Sequence, residues 1–161
     1  MEGARRATRD DAEACAALCR QAVDGLESQR GGPLMLRRET GLVAKALLRP
    51  GGLDGLLAAP RRLVLMGMVD DTVVGMAVAH VEAVGEAHIG VIDGCFVELD
   101  GRGVGVGRAM LDGLMTWFRQ LSCRGVDAAA LPGDRNTKNF FEAAGFKARL
   151  LTLHHRIDQP D

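Results

Sequence analysis

The stretch Val97-Glu-Leu-Asp-Gly-Arg-Gly-Val-Gly-Val-Gly-Arg108 decides how this chain is read. It follows an apolar run with strand character, Ala87 to Val97. It opens into an amphipathic helix in which Met110, Leu111, Leu114, Met115, Phe118 and Leu121 recur at helical spacing. Strand end, glycine-rich turn and helix start, in that order, make a place where an anion binds. The first amides of a helix have no partner inside it, and their dipoles favour negative charge. Gly103, Gly105 and Gly107, with Val104 and Val106 between them, let the backbone approach an anion with no Cβ in the way. Arg102 and Arg108 add charge that pairs with phosphate oxygens. Glycine alone would equally serve a tight turn with no ligand; strand, spacing and arginines together favour the anion.

Two nucleotide-binding loops fail on the residues. No Gly-Lys-Ser/Thr follows, so this is not a P-loop. Asp127 lies twenty residues after Gly107, as a ribose-binding acid might in a dinucleotide fold. It stands at the start of its strand, however, where that acid belongs near the end, and only 34 residues follow it. A doubly wound sheet cannot be finished in that length.

Working outward, Ala4 to Thr8 reads as an edge strand. Asp10 with Glu13 is a capping-box pattern ahead of a helical stripe of Ala12, Cys15, Cys19, Ala22, Val23 and Leu26. Gly31-Gly32-Pro33 breaks the chain. Leu36 to Leu48 is helical up to Pro50-Gly51-Gly52, and Asp54 to Pro60 has room for one more turn. Leu63 to Val69 and Thr72 to Val81 form a hairpin through Asp70-Asp71. Gly90 and Gly94 inside the next run suit a bulged strand. Val126 to Leu131 is a short strand, Thr137 to Ala144 a helix and Lys147 to Ile157 a last strand. With no repeat, linker or low-complexity tract, residues 1–161 are expected to form one mixed α/β domain.

Composition narrows the function classes. The chain has 161 residues, 47% hydrophobic and 25% charged, with a formal net charge of -1, so it folds rather than remaining disordered. A sequence pI of about 6.4 offers no basic excess for nucleic acid. Lysine occurs only as Lys45, Lys138 and Lys147, leaving seventeen arginines among the 20 basic residues. Beside the abundant Ala and Gly this reads as coding bias, not as an anion-binding surface. Cys15, Cys19, Cys95 and Cys123 have neither disulfide nor zinc spacing and read as buried thiols in a reducing compartment, with no metal. No apolar run nears the ~18 residues of a membrane span, and the N-terminus lacks a signal-peptide core. A cytoplasmic protein that contacts neither membrane nor nucleic acid is expected.

Arg102-x-x-Gly105-x-Gly107 resembles the Arg/Gln-x-x-Gly-x-Gly/Ala loop of the GCN5-related N-acetyltransferases (GNAT), with Val97 at the usual strand-end position. Asn136-Thr-Lys-Asn-Phe-Phe-Glu-Ala-Ala-Gly-Phe146 is similar to the family's second cofactor segment. The order of elements matches over nearly the whole chain, least well from Asp24 to Arg62. The resemblance implies a mixed, mostly antiparallel central sheet flanked by helices and splayed at the cofactor site. It implies acetyl-CoA, its pyrophosphate on the amides of Arg102 to Arg108 and its pantetheine between strands ending near Val97 and Leu131. Phe96, Val97, Asn136 and Phe141 are the further cofactor contacts expected. The reaction implied is direct transfer of the acetyl group to a primary amine of a small molecule or peptide. A homodimer is a common state of such domains. The other reading is a catalytically weak or silent acyl-CoA-binding sensor or interaction module.

Acetyl transfer demands an unprotonated amine, a hydrogen-bond donor for the thioester carbonyl and a proton for the departing thiolate. A strand amide near Phe96 and Val97 can serve as the donor. The family's tyrosine position holds Phe141, and the chain has no tyrosine at all, which is what keeps the silent reading open. Asn commonly begins the same segment; by count that position is Asp134, with Asn136 two residues on. Asp93 is the candidate base, because an acid in an apolar strand is costly unless paired or facing a cleft. A carboxylate that merely caps nearby backbone is its plain alternative. Glu86 and His88 come next. One of His154 and His155 would face inward on the last strand. The acceptor is not named by these residues, although Asp24 to Arg62 and the Ala83 to Glu86 turn would border it.

Overall fold

The computed structural model describes residues 1–158. Five strands form one sheet in the order β1-β2-β3-β4-β5. They are β1 (Glu2–Arg6), β2 (Arg62–Val69), β3 (Thr72–Val84), β4 (Ala87–Val97) and β5 (Gly125–Ala128). The first four pair antiparallel, and β5 joins β4 in parallel. The helices are α1 (Ala12–Glu27), α2 (Gly32–Leu36), α3 (Glu39–Leu47), α4 (Gly52–Ala58), α5 (Val106–Gln120) and α6 (Arg135–Ala143).

Period-two alternation builds two cores on one sheet. Leu63 and Leu65 of β2 face Met110, Leu111, Leu114 and Phe118 of α5, together with Phe141 of α6. Val64 and Met66, one step out of phase, face Cys15, Leu18 and Cys19 of α1 and Val43 and Leu47 of α3. Both faces are therefore covered. Such burial, about 25 cal/mol per Å² of apolar surface, is what holds the layers together. Helix α5 lies close on the sheet because Gly67 sits below its first turn; a Cβ there would stand 2.5 Å from Val106 Cγ1.

Two irregularities of β4 create the site. Its register with β3 slips where Val78 pairs Gly94 and Ala79 pairs Ile92, so Asp93 is the extra residue of a bulge. Its ladder with β5 ends at Ile92–Ala128, leaving residues 93–97 unpaired on that side. The sheet splays from Asp93 onward.

Most of the expected elements are present, and the differences have physical reasons. The capping pair ahead of α1 is Thr8 with Asp11, not Asp10 with Glu13, the Thr8 amide donating to Asp11 Oδ2 at 2.7 Å. The helix expected from Leu36 to Leu48 is divided, Leu36 ending α2 and Glu39 starting α3. Gly31-Gly32-Pro33 starts α2 instead of only breaking the chain, since proline is at home in a first helical turn. β5 stops at Ala128, short of Leu131. The expected strand from Lys147 to Ile157 does not form. Its residues are irregular, and Leu150, Leu151, Leu153 and Ile157 are 80%, 79%, 90% and 92% exposed. A strand exists through its partner's hydrogen bonds, and among the described residues the Arg149–Asp127 ion pair, at 2.6 Å, ties this segment to β5 while no backbone bond does. His154 and His155 accordingly have no inward face; both are exposed. Among the described residues no helix is long and apolar enough to cross a membrane.

Candidate active site

The loop between β4 and α5 is a row of free donors. Gly103 and Gly105 have φ of +80° and +92°, a region that costs a non-glycine residue about 1–2 kcal/mol. Gly105 caps α5, and the first helical bond runs from the Ala109 amide to the Gly105 carbonyl, at 3.0 Å. Among the described residues, the six amides from Gly103 to Arg108 find no acceptor. Space stands open before them, for a Cβ on Gly103 would meet nothing within 4 Å. A diphosphate fits this cradle. Arg102 folds back on the end of β4, its Nε donating to the Val97 carbonyl at 2.8 Å and its guanidinium lying 5.8 Å from the Phe96 ring centre. Arg108 pairs with Asp112, both about 60% exposed, and a pair that wet yields readily to a phosphate.

The second segment divides its roles differently from the sequence expectation. Phe141 is buried in the core against Phe140 and Phe146, at centroid distances of 5.2 and 5.1 Å. The ring at the loop is Phe140, whose Cε2 lies 3.3 Å from where a Gly107 Cβ would stand. Asp134 is the α6 cap, accepting from the Thr137 amide at 3.1 Å and from its hydroxyl at 2.7 Å. Asn136 is exposed in the first turn.

At the bulge the structure assembles an ion network on the sheet face covered by α1 and α3. The Asp93 side chain has no exposed surface. Its Oδ2 lies 2.9 Å from His80 Nδ1 and 3.3 Å from Arg62 Nη1, while Thr40 Oγ1 donates to its carbonyl at 3.0 Å. Arg62 also pairs with Glu39, and His80 Nε2 lies 2.9 Å from Glu82 Oε1. Asp93 Oδ1 is buried without a donor, a penalty of about 1–3 kcal/mol. Burial pushes the Asp93 carboxyl up, against the opposing pull of His80 and Arg62. Burial also works against charge on His80, yet its bonds to Asp93 and Glu82 prevail and hold its pKa above the ordinary value. The two groups are in contact, so they titrate as a pair.

Ligand atoms of Glu39, His80 and Asp93 lie within 4.8 Å of one another, close enough for one metal ion. The Arg62 guanidinium already bridges Asp93 and Glu39 and supplies the positive charge there. The other candidates stand apart. Glu86 is exposed in the β3–β4 turn, and the carbonyl of half-buried His88 accepts from the Arg124 amide. Burial pushes the Cys95 thiol up to about 12, which makes it a poor nucleophile. Sequence reasoning found Asp93 but none of His80, Arg62 and Glu39.

The profile of the acetyltransferase (GNAT) family matches residues 37–146, spanning α3, the bulged β4, the amide loop and α6. The chain belongs to the GNAT acetyltransferases. It is an N-acetyltransferase with acetyl-CoA as cosubstrate. Solved structures share the fold at low identity. An aminoglycoside N-acetyltransferase, AAC(6')-Iy, in complex with CoA is 18% identical, with a TM-score of 0.72 over 98% of this chain and 95% of that one. A predicted acetyltransferase of Clostridium acetobutylicum with acetyl-CoA is 15% identical, with a TM-score of 0.70 over 97% and 96%. An aminoglycoside acetyltransferase from an uncultured soil metagenomic sample, in complex with sisomicin, is 14% identical, with a TM-score of 0.69 over 97% and 96%. A comparison with curated protein sequences finds no match.

Proposed function

We propose that this GNAT enzyme moves the acetyl group of acetyl-CoA directly to a primary amine of a small molecule or peptide terminus. The observation that carries the reading is the run of six unpaired amides placed immediately beyond the splayed end of β4. In this reading the amides from Gly103 to Arg108 take the pyrophosphate, helped by Arg102 and Arg108. The unpaired edge of residues 93–97, including Phe96 and Val97, takes the pantetheine and offers an amide to the thioester carbonyl. Phe140 flanks the loop, and Asn136 is within the segment that would border the cofactor. Two of the structural neighbours are aminoglycoside acetyltransferases by name, which favours a small cationic amine. Holding amine and thioester together supplies much of the acceleration. A thiol of ordinary pKa, about 8.5, leaves well as a thiolate, so solvent can protonate it without a tyrosine at Phe141.

Asp93 belongs to this site, but its carboxylate has no exposed surface with which to meet an acceptor. It therefore acts through the groups around it.

A thermal-shift titration with acetyl-CoA, with CoA and NADH alongside, tests the cofactor. At one hundred times Kd, binding adds about 2.7 kcal/mol. For a chain of this size that is a rise of roughly 5–11 °C. Release of CoA thiol on adding amines then tests transfer. Stabilisation by acetyl-CoA without release from any amine would favour a silent binding module, and no stabilisation would remove the reading altogether.

A further inference from the structure

The network at the bulge runs from a closed end to an open one. Asp93 is sealed, the His80 side chain is 12% exposed and that of Glu82 is 54% exposed. His80 follows Met76 and Val78 at period two on β3, so it lies on the sheet face that α1 and α3 cover. It touches Asp93, the first residue beyond the β4–β5 ladder. On that face His80, not the sealed Asp93, offers surface to an amine. The charged groups facing this imidazole are Asp93 of β4, Glu82 of its own strand, Arg62 of β2 and, through Arg62, Glu39 of α3.

We infer that His80 is the general base of the acetyl transfer, with Asp93 as its positioning residue and Glu82 as the carboxylate that stabilises the imidazolium. The inference rests on the N-acetyltransferase reading above and assigns its missing base.

The chemistry follows from the two ring nitrogens. Asp93 Oδ2 accepts from Nδ1–H, which fixes the tautomer and turns the Nε2 lone pair outward. A lone pair and a carboxylate repel, so the 2.9 Å contact of Nε2 with Glu82 belongs to the imidazolium. In the neutral ring Glu82 is free to swing into solvent, and Nε2 faces the acceptor. The amine nitrogen then bonds to the thioester carbon while Nε2 takes its proton. The C–S bond breaks, and CoA departs as a thiolate with the electron pair, to be protonated by solvent. The imidazolium, held by Glu82 Oε1, then releases its Nε2 proton to water, which returns the neutral base. His80 and Arg62 both oppose the burial that disfavours the Asp93 carboxylate.

Carboxylates on both nitrogens keep His80 protonated above the pH at which free histidine deprotonates, so the rate climbs with pH through a displaced limb. The test follows released CoA thiol with acetyl-CoA and benzylamine as the probe amine, across pH, in wild type, Glu82→Gln and His80→Gln. Glu82→Gln is expected to move the limb to lower pH and raise kcat/KM at its acid end about two- to threefold. His80→Gln is expected to abolish the limb and lower kcat on the order of 10²-fold, with KM for acetyl-CoA unchanged. A limb unmoved by either substitution overturns the inference.

Nitrogen NMR of the imidazole in the full chain with acetyl-CoA bound gives a readout that needs neither turnover nor the His80 variant. Glu82→Gln should lower the pH at which His80 titrates; an unmoved midpoint also overturns the inference. Failure of acetyl-CoA to stabilise the wild type would instead remove the transferase reading itself.

Discussion

Replacing Gly67 by alanine tests how tightly the fold sets the amide cradle. The new methyl would stand 2.5 Å from Val106 Cγ1 and 2.9 Å from Met110 Sδ. Ordinary carbon contacts need about 3.5 Å or more, so something must give by roughly 1 Å. The Met110 thioether is flexible, but Val106 is β-branched, 1% exposed and packed on all sides. The start of α5 must therefore lift from the sheet. Overpacking of this kind costs about 1–3 kcal/mol, a fall in Tm of roughly 2–12 °C for a chain of this length. Val106 is also the first residue of α5 and lies among the free amides, so the lift displaces the donors proposed to take the pyrophosphate. Thermal unfolding with and without acetyl-CoA should show both a lower Tm and a smaller ligand-induced rise. Gly3→Ala on β1 is the control, because its Cβ meets nothing within 4 Å, and its Tm should hold or rise slightly. If Gly67→Ala behaves like Gly3→Ala in both measurements, the seating of α5 does not set the loop.

Two further stability effects follow from the N-terminal half. Asp11 accepts from both terminal nitrogens of Arg5, each at 2.8 Å, and from the Thr8 amide at 2.7 Å. The Arg5 guanidinium, foremost, holds its carboxyl below the ordinary value despite burial. A depressed folded pKa stabilises above the unfolded pKa and is lost as pH falls through the folded one. Asp11→Asn should therefore cost about 1–2 kcal/mol at pH 7, discounted because Arg5 is 43% exposed, and in acid titrations of stability the difference from wild type should hold down to about pH 4 and disappear only as pH falls through the lower, folded value. Gly25 lies exposed within α1, where an added Cβ meets nothing within 4 Å. Gly25→Ala should raise stability by about 0.5–1 kcal/mol, and a Tm unchanged or lowered would contradict it.

Local patterns were readable where they carried their own periodicity. The β2–β3 hairpin, β4, α5 and the glycine loop all stand where alternation, helical spacing and turn residues put them. Errors came where local chemistry had two outcomes. Gly31-Gly32-Pro33 is a breaker for the helix before it and a first turn for the helix after it. Lys147 to Ile157 has the composition of a strand, but strand formation is settled by a pairing partner, which no window of sequence contains. Phe140 and Phe141 are adjacent on one helix, so they point about 100° apart, and only the position of α6 on the sheet decides which ring enters the core.

The active-site network shows the same division between residue type and register. Asp93 stood out because an acid interrupts an apolar strand, and a buried acid needs a cation nearby. That cation could have been sought among the polar residues that interrupt the same face on neighbouring strands. Arg62 precedes Val64 and Met66 at period two, and His80 follows Met76 and Val78, so both belong to the face of α1 and α3. What alternation cannot supply is which of them Asp93 touches. The β4 bulge offsets the strand by one residue, and without it Asp93 would have a regular partner on β3 and a regular face. The one irregular residue of the strand thus closes the β4–β5 ladder, turns a carboxylate inward and brings it onto a histidine thirteen positions earlier. The same step that ends the β4–β5 ladder therefore builds the charge pair beside the opening, which is why the proposed cofactor slot and the proposed base fall in one place.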